Sequence, residues 1–135
     1  GNKSALSLQE KRGLTSFINI GCITCHSGAL LGGNSFQKFG VHKNYWEATG
    51  SKNIDMGVFD ISKGEYDKYK FKVPSLRNIA GTHPYFHDGS VKELARAVEI
   101  MADVQLNYPI TKEETENIVA FLKALTGKIP EQYTK

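Results

Sequence analysis

The sequence predicts an all-α fold with a long glycine-rich loop region, on three observations. Three strings have the form of a helix-opening capping box: Ser7-Leu8-Gln9-Glu10, Ser90-Val91-Lys92-Glu93 and Thr111-Lys112-Glu113-Glu114. Between residues 27 and 73, Gly28, Gly32, Gly33, Gly40, Gly50, Gly57 and Gly64 interrupt any long periodic run. The third observation is the string Gly21-Cys22-Ile23-Thr24-Cys25-His26, which falls where the first helix is expected to end. A stretch as long as 27–73 with little regular structure is out of place in a compact domain unless something else gives it a surface to bury against.

In the first box Ser7 is the N-cap and Glu10 reaches back from the third helical position. The helix it opens carries Leu14, Phe17 and Ile18 on one face and ends near Gly21. Gly13 in its middle costs about 1 kcal/mol against alanine; a close helix crossing would justify it, and a tolerated surface glycine is the other reading. In the loop region, Ser35–Phe39 and Val58–Ile61 alternate as short strands do. Trp46, the one tryptophan, is expected to be a packing residue. The second box, with Ser90 as N-cap, opens a helix whose inner stripe is Leu94, Ala97, Val98 and Met101, with its exit at Asn107 and Pro109. The third opens a last helix that buries Ile118, Phe121, Leu122 and Leu125 and stops at Gly127.

Cys-x-x-Cys-His is the attachment signature of a c-type haem. Two thiols at this spacing add to the two vinyl groups of the porphyrin, and the adjacent histidine becomes the proximal iron ligand. Cys22 and Cys25 are the only cysteines, so a zinc site has no second pair to complete its four ligands. A thioredoxin-like pair would sit in an alternating strand–helix pattern that the chain lacks. The expectation is therefore one covalent haem c and a cytochrome c-like single haem domain spanning 1–135, with a core of about 7–127. A large flat cofactor also explains what the glycine-rich region packs against.

The distal axial position decides between a closed electron carrier and an open, reactive iron. Met56, Met101, His42, His83 and His87 are the candidates, and Met101 is preferred because it lies on an apolar helical stripe late in the chain. A net charge of +3 is too small to name a partner, and no nucleic-acid partner is expected. No run of 18 apolar residues is present to span a membrane. Gly1-Asn2-Lys3-Ser4 is polar and begins no signal peptide. Because haem is normally attached outside the bacterial cytoplasm, a periplasmic location is expected, with either a removed leader or excision from a longer protein.

With these residues assembled, the chain resembles the C-terminal haem domain of the bacterial di-haem cytochrome c peroxidases. The resemblance runs from about Leu8 to Gly127. It rests on Gly21 to Gly28, Leu31-Gly32-Gly33, Phe71 to Asn78, Pro84-Tyr85-Phe86-His87-Asp88-Gly89-Ser90, Ala97-Val98-Glu99-Ile100-Met101 and Ile118 to Leu122. It implies a high-potential haem ligated by His26 and Met101, reduced by a small donor cytochrome c or cupredoxin. The electron would pass to a peroxidatic haem in another domain, absent from this chain, where hydrogen peroxide is reduced. It also implies a calcium held partly by the backbone carbonyls of Thr82 and Pro84, complete only in a fuller protein. Arg77 falls in a segment close to the haem and is a candidate propionate partner. Gly81, His83 and Asn107 depart from the family pattern, and the second haem motif is missing. No catalytic residue is expected in this chain alone. The alternatives are a stand-alone periplasmic mono-haem carrier and a small haem peroxidase with a displaceable distal ligand.

Overall fold

The computed structural model of the chain describes Asn2, residues 4–128 and residues 130–133. Gly1 and Lys3, part of the polar amino-terminal reading, lie outside the described residues. The described residues contain α1 (Leu8–Ile20), β1 (Phe36–Lys38), α2 (Tyr45–Thr49), α3 (Phe59–Ser62), β2 (Lys70–Lys72), α4 (Leu94–Leu106) and α5 (Lys112–Ala124). Short 3₁₀ turns at Cys22–Thr24, Glu65–Asp67, Ile79–Gly81 and Glu131–Tyr133 complete the order.

Two of the three capping boxes form. Ser7 accepts from the Glu10 N–H while Glu10 accepts from the Ser7 N–H at 2.6 Å. Thr111 and Glu114 do the same at the start of α5. The Ser90 box does not form: α4 starts at Leu94 behind an extended Glu93, with no side-chain cap. The reason is local. The Val91 carbonyl is taken by the Tyr85 N–H at 2.6 Å, which holds residues 90–93 out of the helix.

α1 and α5 cross closely at Gly13. A Cβ there would lie 1.9 Å from the Asn117 carbonyl oxygen and 2.8 Å from Phe121, so only glycine fits this crossing. Phe17, Ile118, Phe121 and Leu122 fill the space beside it, joined by Leu76. Ile18, expected on the same face as Phe17, is instead 45% exposed. α5 ends at Ala124, and Leu125 rather than Gly127 follows it as the cap; the Gly127 N–H donates to Asn78 Oδ1 at 2.6 Å. Asn107 ends α4 in the left-handed conformation that asparagine tolerates.

The glycine-rich region is organised by one hairpin-like pair. β1 and β2 run antiparallel with Gln37 opposite Phe71. The expected strand at Val58–Ile61 is instead helical: the Val58 carbonyl accepts from the Ile61 and Ser62 N–H groups at the start of α3. Behind the pair, Tyr45 is fully buried, and its phenol both donates to the Asp55 carbonyl at 3.0 Å and accepts from the Asp55 N–H at 2.9 Å. Trp46 packs edge-on against Tyr45 at 5.2 Å and lies 5.0 Å from Tyr69, as a packing residue would.

Candidate functional site

α1, α4, α5 and the β1–β2 pair line a cavity of about 420 Å³, within the range of roughly 300–1,000 Å³ usual for cofactor pockets. Cys22, Cys25 and His26 line it, delivered by the turn after α1. Gly21 makes that delivery. At φ 106° it caps α1 with its N–H on the Ile18 carbonyl at 3.1 Å, then directs the chain into the Cys22–Thr24 turn. The His26 N–H closes the motif on the Cys22 carbonyl at 3.0 Å.

The His26 ring has the form a metal ligand needs. Its Nδ1 lies 3.2 Å from the Leu31 carbonyl, and the tautomer that donates there leaves Nε2 as the ligating nitrogen. Burial lowers the imidazole pKa from its usual value, which favours the neutral, ligating form. Gly32 allows this approach. At φ 123°, a Cβ on it would lie 2.1 Å from the Pro74 carbonyl oxygen and 3.3 Å from His26 Nδ1.

Burial also pushes the Cys22 thiol up to about 11, with repulsion from Cys25 adding to it. A dithiol redox pair works through a depressed thiol pKa, so the site is unsuited to thioredoxin-like exchange. Among the described residues, no group of three or more His, Cys, Asp or Glu side chains is placed to hold a metal ion by itself.

α4 supplies another wall. Its expected stripe, Leu94, Ala97, Val98 and Met101, lines the cavity throughout, and Met101 is partly buried there. Phe17, Ile118 and Leu122 close the helical side, and Phe39 and Phe71 belong to the β1–β2 side. No carboxylate is among the lining residues. A largely apolar slot with two thiols, the His26 and His87 imidazoles and one thioether fits a haem c in size and in donor chemistry.

The other expected site residues divide. Thr82 and Pro84 both line the cavity. Arg77 is exposed and does not line it. His87 does, with its ring stacked 4.0 Å from Phe71. Met56, His42 and His83 are not on the lining. Among the lining residues given no role from the sequence are Lys38, Lys72 and Gln105. Only Gln105 carried a readable signal, as a polar residue four positions after Met101 on an otherwise apolar stripe.

The chain is 47% identical to the cytochrome c551 peroxidase of Nitrosomonas europaea over 97% of its own length and 38% of that protein's. It is 44% identical to the cytochrome c551 peroxidase of Pseudomonas aeruginosa, over 96% of this chain and 37% of that one. It therefore spans less than two-fifths of the length of these relatives. Among solved structures, a MauG-like protein associated with microbial copper homeostasis superposes with a TM-score of 0.74 at 28% identity, covering 90% of this chain and 44% of that one. No helix among the described residues is long and apolar enough to cross a membrane. The cytochrome c family model matches residues 10–126, which includes the whole haem-attachment motif, α1 but for its first two residues, and α2 to α5, and the chain belongs to the cytochrome c family.

Proposed function

We propose that this chain is the electron-transfer haem module of a hydrogen-peroxide-reducing cytochrome c peroxidase. One haem c is held through thioethers to Cys22 and Cys25, with His26 as proximal and Met101 as distal ligand. The observation that carries the reading is a cavity lined by both the partly buried His26 imidazole and a stripe thioether, with no carboxylate on its lining. Bound there, the haem supplies a one-electron couple, and a thioether opposite imidazole favours its reduced form. The protein's part is to keep both axial positions filled and water out. Reducing peroxide would also need a proton-shuttling group beside the iron, and the one lining imidazole besides His26 is His87, stacked on Phe71.

In this reading electrons arrive from a small donor cytochrome c or cupredoxin and leave for a peroxidatic haem domain of a longer, periplasmic protein. Lys38 and Lys72 join Arg77 as candidate partners of the haem propionates, because they line the cavity. Thr82 and Pro84 offer two carbonyls, whereas calcium takes about six to eight oxygens. Bound calcium therefore belongs to the longer protein.

The test is the pair Met101→Ala and Met56→Ala in the haem-loaded protein. Met101→Ala should keep the thioethers, lose the weak sulfur-to-iron charge-transfer band and lower the potential. Met101→His should restore low-spin iron at a lower potential than the native protein. Potentials across haem ligand sets span about 0.8 V, so the shifts should be easily read. Met56→Ala should change neither band nor potential. Loss of the band in Met56→Ala but not in Met101→Ala would overturn the ligand assignment.

A further inference from the structure

The last turn of α4 is fastened to the segment that runs through and out of β1. Gln105 spans the gap with its side-chain amide: Oε1 accepts from the Gly40 N–H at 2.9 Å, and Nε2 donates to the Lys38 carbonyl at 2.7 Å. The two residues before it reach the same segment. The Val104 carbonyl accepts from the His42 N–H at 2.9 Å, and Asp103 pairs with Lys43.

These three attachments differ in kind. The Lys43–Asp103 pair is half exposed (51% and 48%), where ion pairs contribute little. The Val104 bond is backbone to backbone, so no side chain governs it. Gln105 provides the side-chain link that satisfies a donor on a buried residue, Gly40. The chain turns tightly at Gly40: at φ 84°, a Cβ there would lie 2.4 Å from the Lys43 carbonyl oxygen.

Gln105 stands one helical turn after Met101, and both line the cavity, as do Lys38 and Phe39. The amide thus ties the helix that carries Met101 to the strand that forms the adjoining wall. We infer that Gln105 is a positioning residue: by clamping Lys38 and Gly40 it keeps α4 against β1 and holds the Met101 position closed to outside ligands. The inference rests on the reading of Met101 as distal ligand and adds the device that makes this ligand hard to displace. A thioether is a neutral, weakly held ligand, so the protein must limit how often it swings away. An added ligand binds only the open fraction, and its apparent affinity rises in proportion to that fraction.

The experiment titrates imidazole into the ferric, haem-loaded protein and its variants, with melting temperature recorded alongside. Gln105→Leu removes both hydrogen bonds and should tighten apparent imidazole binding by roughly tenfold or more. Gln105→Glu keeps an acceptor for Gly40 but loses the donor to Lys38. It should also bind imidazole more tightly than the native protein, and it stands in where Gln105→Leu does not fold. Asp103→Asn removes only the exposed ion pair and should leave imidazole affinity unchanged. A lower melting temperature with native imidazole affinity would make Gln105 an ordinary packing contact and overturn the inference. An equal rise in Asp103→Asn would also overturn it, by assigning closure to the whole turn. Met101→Ala separates the two levels, since it should bind imidazole more tightly than any Gln105 variant. If it does not, Met101 is not the ligand, and the inference falls with that reading.

Discussion

The helical side of the cavity and the side built on β1 and β2 are made by different means. α1 and α5 bring their own caps, a continuous apolar face and a glycine crossing that locks one helix on the other. The β1–β2 side has three-residue strands, and its order comes from rings and side-chain bonds to backbone. Phe39 stacks on Tyr45 at 4.8 Å, Phe71 on His87 at 4.0 Å, and Phe39 lies 4.9 Å from Phe86. It also carries strain. Tyr69 and Phe86 sit at φ 63° and 69°, where a bulky residue costs about 1–3 kcal/mol. The contrast predicts that the β1–β2 side depends more than the α1–α5 crossing on an occupant to bury against.

The largest expected effect follows from removing that occupant. Cys22→Ala with Cys25→Ala prevents haem attachment. Amide hydrogen exchange should then show residues 36–38 and 70–72 losing protection roughly 100-fold more than the core of α1 and α5, about 2.8 kcal/mol. Equal loss on both sides would show one cooperative unit and break the comparison.

A smaller effect distinguishes the glycines of the two sides. Gly13→Ala gains about 1 kcal/mol of helix propensity but forces apart a crossing with no room for a methyl group. Denaturant unfolding should show a net loss of about 2 kcal/mol. At Gly50, φ is 74° but nothing lies within 4 Å of an added Cβ. Gly50→Ala should therefore lose only about 1 kcal/mol, from the backbone alone. A Gly13→Ala protein as stable as the native one would mean that the crossing opens easily.

The smallest effect tests the caps. Thr111→Ala should lose about 1 kcal/mol in the same unfolding assay, because the Glu114 N–H loses its acceptor. A change within error would mean that α5 is held by packing alone.

The same division explains what could be read from the sequence. Ser7 and Thr111 announced their helices because each cap is complete within four residues. Ser90 shows the same letters, but its neighbour Val91 is held by Tyr85, a contact that no local pattern reveals. Met101 was legible as a stripe residue, and Cys22, Cys25 and His26 from their spacing. The alternation of Ser35–Phe39 announced β1, but its pairing of Gln37 with Phe71 was not legible, because the two strands are far apart in the chain. Val58–Ile61 alternates as a strand would, yet its carbonyls find partners one helical turn ahead. Lys38 and Lys72 gave no signal, since nothing local distinguishes a lysine at a cavity wall from one in solvent.

Trp46 gives the less regular side a light of its own. It is the only tryptophan, and it touches Tyr45, whose ring lies 5.2 Å from the cavity-lining His87. With a haem in the cavity, an indole at this remove would transfer its excitation energy to the porphyrin and stay dark while the fold is intact. Emission would return as this side moves away, so one indole reports on this side while α1, α4 and α5, which hold no tryptophan, stay silent.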